Sequence, residues 1–330
     1  MKKLMAFILI IASVLCLSAC GTDESELYVV YHDGAAIYRD FDGNTAIDSV
    51  YITGKSTALD DNNLFTEDNS ANMNDGKKFS EGMAAVEVGP EHKRKWGYIN
   101  IKGKFLIEPI FDGAESFCEG FAAVKMNNKM GYISKNGDVV IAPQYDYAKP
   151  FSDGLAAVKD GDKWGYIDTT GKMIISPQFS DAGEFGCGLA AVKDGNKWGY
   201  IDTTGKVVIT PQFNEAKSFS ENLAAVKDGD KWGYIDTTGK MVINAEFYGA
   251  GNFSEGLAPV ISFVDWCYPK DDLNWYGYID TTGKMVIEPE FTYAEEFSNG
   301  RAYVKRDDYD NPVTKGYINT EGKVIKSKTY

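Results

Sequence analysis

The 330 residues carry 48 acidic against 34 basic side chains, a net charge of −14, and only two histidines. That balance excludes the basic stripe with which nucleic-acid binders neutralise phosphate, and it opposes contact with anionic lipid headgroups. At 44% apolar and 13% aromatic, the chain can bury a large core and is not disordered by composition.

Lys2 and Lys3 make a positive start, residues 4–17 form an apolar run too short for a stable membrane span, and Leu17-Ser18-Ala19-Cys20 closes it with small residues. Residues 1–19 therefore resemble a bacterial lipoprotein signal. The resemblance implies cleavage before Cys20 and lipid on its sulfur and amine. Two or more acyl chains hold a protein stably at a bilayer where one holds it marginally, so the expected location is the extracytoplasmic face of the cell membrane. Residues 20–26 are small and acidic, a flexible spacer. Losing Lys2 and Lys3 with the leader takes the net charge to −16.

Cys118, Cys187 and Cys267 remain, with no Cys-x-x-Cys step and no Cys/His cluster, since His32 and His92 stand apart. No zinc site and no disulfide framework are expected. Cys118 and Cys187 sit at nearly equivalent places and read as small buried fillers; a disulfide involving Cys267 stays open.

Residues 27–78 begin with aromatic and β-branched runs separated by Asp33-Gly34 and Asp42-Gly43, which predict strands joined by tight turns, a degenerate repeat. Residues 55–78 are polar, rich in Asp and Asn, and predict a long loop or a poorly ordered insert.

From residue 79 to 330 the chain repeats itself. The marks are Trp96, Met130, Trp164, Trp198, Trp232, Tyr276 and Lys315, at intervals of 34, 34, 34, 34, 44 and 39. Each mark is followed directly by glycine, as at Gly97, Gly165, Gly199 and Gly233, and a second glycine stands seven beyond each mark. Thirteen beyond stands proline in five of the six complete units, with Ala245 the departure. A fixed period of this kind marks a repeat architecture.

The unit 155–176 predicts a hairpin with Asp160-Gly161 at the centre of a type I′ turn, pairing Lys159 with Asp162 and Ala157 with Trp164. Alternation then puts Leu155, Ala157, Trp164 and Tyr166 on one face and Ala156, Val158, Gly165 and Ile167 on the other. Gly165 would lie opposite Ala156 and let a neighbouring sheet approach. Asp168-Thr169-Thr170-Gly171 predicts a second turn with an Asx start, and the third strand should stop at Pro177. Phe179, Ala182 and Phe185 predict a short fourth strand or an irregular return.

The fold expected is all-β: tandem antiparallel meanders of three to four strands, seven marks, with a propeller-like ring favoured over an open curved array. Meander character and the β-like N-terminal segment favour closure; a 34-residue period, short beside a propeller blade of roughly 40, opposes it. The chain resembles the WG-repeat proteins of bacteria, through Trp96-Gly97, Trp164-Gly165, Trp198-Gly199, Trp232-Gly233 and the Gly-Tyr-Ile-x-x-x-Gly-Lys pattern over 79–325. The resemblance implies a repeat fold and carries no shared catalytic residue.

No chemistry stands out from the repeat. Asp160, Asp162, Asp168 and their copies read as turn residues, because no loop supplies the chelating ladder of a calcium site. The same acids in every unit give no distinct carboxylate pair for glycan hydrolysis, and no Gly-x-Ser-x-Gly elbow or phosphate loop is present. Neither cofactor nor metal nor catalytic residue is expected. Trp96, Trp164, Trp198 and Trp232 read as packing residues, with a row of rings for stacking on sugar as the rival.

The units differ in length at one place only, between the strand valine and the mark: Val86 to Trp96, Val260 to Tyr276 and Val304 to Lys315. In repeat folds such insertions often mark the working face. Trp266, Tyr268, Trp275 and Tyr276 in the longest one make the candidate binding patch. A non-enzymatic scaffold binding a protein or peptide partner is the expected function, with an envelope glycan-binding module and an envelope glycan hydrolase as alternatives.

Overall fold

The computed structural model describes residues 27–32, 35–40, 45–47, 77, 79–88, 94–265, 273–308 and 311–329. The leader, Cys20, the spacer, most of the polar loop, His92, Trp266, Cys267 and Tyr268 lie outside them. What is described is strand and turn. A three-stranded sheet (Leu27–His32, Ala35–Asp40, Thr45–Ile47) precedes seven antiparallel sheets in tandem, each named here by its mark. The Trp96 sheet has three strands and the other six have four.

In the Trp164 sheet the strands are Tyr147–Ser152, Leu155–Asp160, Lys163–Asp168 and Met173–Phe179, hydrogen-bonded in that order. The first strand belongs to the sheet that follows it, which corrects the expected fourth strand. Phe179 ends one sheet, and Asp181–Gly186, with Ala182 and Phe185, opens the next by pairing with Leu189–Asp194.

The hairpin register also differs from expectation. Asp160 pairs with Lys163, Lys159 with Trp164, Ala157 with Tyr166 and Val158 with Gly165. The turn is centred on Gly161-Asp162, with Gly161 at φ 60° and Asp162 not in the left-handed region. A type I′ turn needs two positive φ values and a type II′ turn only one, which glycine supplies without steric cost. The Met130 hairpin makes the other choice, with Asn127 and Asn128 at φ 50° and 65°. Because the shift in pairing is two residues, the two faces survive unchanged.

Pro177 does not end the third-to-fourth strand pairing. It lies inside Met173–Phe179, at a bulge where the register jumps between Trp164↔Phe179 and Tyr166↔Ile175. The bulge folds over Gly165, so that a Cβ there would lie 2.8 Å from the Pro177 nitrogen. The glycine of Trp-Gly thus admits backbone of its own sheet, not a neighbouring sheet as expected. At Gly233 the same approach is made by the Ala245 nitrogen at 2.7 Å, so the bulge does not depend on proline.

Each sheet buries its aromatic face under the small-residue face of the next. Leu155, Ala157, Trp164, Tyr166, Ile175 and Phe179 form one cluster with Ala182, Phe185, Ala190, Val192 and Ile201. A buried aromatic or aliphatic side chain contributes roughly 1.5–3 kcal/mol, so one sheet alone lacks half its core and stacking supplies it.

Polar groups fix the stacking. The Tyr166 hydroxyl donates to Gly183 O of the next sheet at 2.9 Å, and Tyr98, Tyr132, Tyr200, Tyr234 and Tyr278 repeat that bond. The same tyrosines pack edgewise or tilted on the next phenylalanine, as Tyr166 does on Phe185 with centroids 4.9 Å apart. In the turn after the first strand, Ser220 Oγ donates to Phe253 O at 2.7 Å, and the Asp153 carboxylate accepts from Gly188 N at 2.8 Å. Cys118 and Cys187 stand in this row of turns, and both are disulfide-bonded. They are not inert fillers: each occupies a place where other units carry a serine or an acid reaching the neighbouring turn.

Candidate functional site

In each four-stranded sheet the second strand, and in the Trp96 sheet the first, runs from the Ser-x-Gly type of turn to the hairpin tip. Tips therefore gather on one edge, and the Asp-x-x-Gly turns on the opposite one. At the turn edge Asp168 Oδ1 accepts from Thr170 N at 2.9 Å and Lys172 N at 3.0 Å. A bond from the Thr170 hydroxyl is the first cause holding the Asp168 carboxyl below its usual range, and Asp202, Asp236 and Asp280 repeat the arrangement. Asn100 and Asn319 make the same turn with an amide oxygen. A neutral residue serves equally, so these acids act as turn acceptors.

At the tip edge, regular hairpins close on two residues. Two of the lengthened ones continue as paired strands. In the Tyr276 sheet, Leu257–Asp265 and Leu273–Asp280 stay paired from Ile261↔Tyr276 through an irregularity to Asp265↔Leu273. In the Lys315 sheet, Arg301–Asp308 and Asn311–Asn319 stay paired to Asp308↔Asn311. The Trp96 hairpin is described as far as Val88↔Lys95.

Of the candidate patch, Trp275 and Tyr276 fall within the described residues, and both are partly buried. Tyr276 packs against the cluster holding Leu257, Tyr278, Phe291 and Val304, and burial pushes its hydroxyl pKa up. It thus takes the place of a repeat tryptophan. Among the tryptophans, Trp96, Trp164 and Trp232 are buried at 6, 8 and 9% exposure, and Trp198 is partly buried. Lys149 Nζ lies 5.4 Å from the Trp164 ring centroid, and Lys193 Nζ 6.0 Å from that of Trp198.

Periodicity alone does not reveal a cleft of about 140 Å³ between the Tyr276 and Lys315 sheets, lined by Glu290, Phe291, Val304, Arg306, Gly316, Tyr317 and Val324. In the Lys315 sheet the last strand, Val324–Thr329, runs straight past the mark, pairing Gly316 with Ser327 and Lys315 with Lys328. The bulge that covers the glycine elsewhere is missing there, and lysine stands for tryptophan. Arg306 Nη1 meets Glu290 Oε2 at 3.1 Å at the cleft. The signal in the sequence was the lysine at the mark together with the lack of proline thirteen residues on.

The first strands bring charges together that are far apart in sequence. Lys77 pairs with Glu115. Burial raises the Glu184 pKa, with Lys149 opposing and Glu115 adding; burial lowers that of Lys217, with Glu296 and Glu215 opposing. Asn252 N donates to Glu296 Oε1 at 2.8 Å. Glu115 and Glu184 belong to sheets two apart in the array, as do Lys217 and Glu296. Among the described residues no cluster of three or more His, Cys, Asp or Glu side chains forms a metal site.

The fold and these two edges define a class, the all-β tandem repeat array of meander sheets. The family described as WG containing repeat matches residues 96–129, 130–164, 164–198, 198–232, 232–261 and 276–309. These stretches make up more than half of the chain, which belongs to that family. Comparison with curated proteins gives no match. Among solved structures, a crystal structure of a eukaryotic initiation factor is similar at 12% identity, covering 96% of this chain and 87% of that one with a TM-score of 0.56. Hsv2 of Kluyveromyces lactis aligns at 10% identity over 75% of this chain and 95% of its own, with a TM-score of 0.46. At such identities the first likeness concerns the fold alone, and the second is too low to add to it.

Proposed function

We propose that this protein is a non-catalytic scaffold, tethered through acylated Cys20 at the extracytoplasmic face of the cell membrane, whose array closes into a propeller-like ring and binds a protein or peptide partner at its tip edge. The observation that carries the reading is the placement of every length change in the same hairpin, with a cleft between the two adjacent sheets whose hairpins are extended. Repeats that keep their length also keep their packing; the departures add surface. Disulfide-bonded Cys118 and Cys187 fit an oxidising compartment and support the location. Burial of Trp96, Trp164 and Trp232 removes the row of rings on which a sugar would stack, so the glycan reading ranks second.

The test uses the membrane-anchored protein and a form with residues 264–273 deleted, each captured from its native envelope after cross-linking. Partners held by the wild type and absent from the deleted form, with unchanged melting, are the expected result. Equal capture by both forms overturns the tip-edge assignment. Separately, Cys20→Ala should release the protein into the soluble fraction, and retention in the membrane would remove the tether from the reading.

A further inference from the structure

Residues 27–47 carry no Trp-Gly step and fall outside the stretches matched to the family. Their backbone pairing nevertheless copies a repeat unit position by position. Leu27 pairs with Asp40 as Leu155 pairs with Asp168, and Val29 with Tyr38 as Ala157 with Tyr166. Tyr38 then pairs with Ile47 as Tyr166 with Ile175, and Arg39 with Thr45 as Ile167 with Met173, at the same separations. Asp40 and Gly43 stand where Asp168 and Gly171 make the second turn. Ala36-Ile37 occupies the Trp-Gly place. The third strand of this sheet, Thr45–Ile47, corresponds to Met173–Ile175, the part that precedes the bulge.

A second observation is independent of the first. In the Met130, Trp164 and Trp198 sheets the small-residue face packs under the aromatic face of the preceding sheet. The Trp96 sheet has such a face too, formed by Ala84, Val86, Val88 and Ile99 with Phe79, and Ala84 and Ile99 are 0% exposed. Among the residues whose side chains are described, that cluster holds only the Trp96 sheet and the segment leading into it. A face so free of solvent is covered, and what precedes it in the chain is the 27–47 sheet.

We infer that residues 27–47 are a further repeat unit, stacked on the Ala84, Val86, Val88 and Ile99 face as the unit ahead of the Trp96 sheet. The consequence rests on the tether proposed above. The strand Leu27–His32 corresponds to the second strand of a unit, which starts at the turn edge, so Cys20 joins the array on that edge. Six intervening residues reach about 20 Å when fully extended. The turn edge then faces the bilayer, and the lengthened hairpins point away from it, toward partners.

Hydrogen exchange on the full chain in detergent micelles tests the stacking. Amides of 27–32 and 35–40 should be protected to a degree comparable with 84–88, and Val29→Asp should speed exchange at 84–88 while leaving 276–280 unchanged. Unprotected exchange across 27–40, or protection at 84–88 that Val29→Asp does not move, overturns the inference. For the orientation, a dye placed on Thr203→Cys or Asn196→Cys, each in a Cys267→Ser background, is read in vesicles containing quencher-labelled lipid. Stronger quenching at position 203 is expected. Equal quenching, or stronger quenching at 196, rejects the orientation and leaves the exchange result standing. Neither outcome depends on whether a partner is captured, and a failed tether appears on its own in the Cys20→Ala fractionation.

Discussion

The Trp164 and Trp198 sheets and the last two sheets are built on one plan and depart from it at the same spot. In the first pair a tryptophan, a bulge over the following glycine and a two-residue turn close the tip edge. In the second pair the mark is Tyr276 or Lys315, the hairpins run on as paired strands, and in the Lys315 sheet a straight last strand leaves a cleft of about 140 Å³. Below that level the Tyr276 sheet keeps the common plan: Tyr278 donates to the next sheet as Tyr166 does. The stacking apparatus is thus independent of the tip, and the tip can vary without loosening the array.

The largest expected effect falls on the regular side. Trp164→Ala should destabilise by about 3–5 kcal/mol, as large-to-small core changes do, whereas Tyr276→Ala, at a partly buried site, should cost about 1–2 kcal/mol. Urea melts of the two variants measure the contrast, and equal losses would erase it. Next in size is Tyr200→Phe, which deletes one bond between sheets and leaves Lys217 O without its donor; about 1–2 kcal/mol is expected in the same melts.

Smaller still are the turns. Asp202→Ala should lower the urea midpoint by less than Tyr200→Phe does, since it removes an exposed turn acceptor, and Asp202→Asn should leave it close to unchanged, because Asn100 already makes that turn. A large loss on Asp202→Asn would restore a role for the charge. The smallest effect concerns pH. With folded carboxyl pKa values held below the usual range at Asp168, Asp202, Asp236 and Asp280, their contribution is present above the unfolded carboxylate pKa of about 4. It is lost as pH falls through the lower folded values. Converting all four to Asn should flatten acid unfolding below about pH 4, monitored by circular dichroism.

Much of this was legible locally. The Asp-Thr-Thr-Gly turn, the two faces of each hairpin and the site of the insertions follow from residue type and period. The register was not, because Asp160-Gly161-Asp162 offers a hairpin two centrings one residue apart, whose pairings differ by two residues and present identical faces to the core. Nor was the reason for Gly165, since nothing before Pro177 announces that its strand will double back over the glycine. Of the candidate patch, Tyr276 is partly buried against the core of its sheet, and the cleft beside it is lined from two sheets, which no local pattern announces.

By itself the sequence determined period, strand alternation, turn chemistry and the three places where the pattern lengthens, because each is decided within a few bonds along the chain. Only the tertiary structure decided that the first strand belongs to the following sheet, that the tyrosine hydroxyls lock one sheet to the next, and that Cys118 and Cys187 are oxidised. Those are contacts between units, and in a repeat every unit offers the same groups to its neighbours. Which of them meet is settled by stacking geometry, not by spacing in the chain.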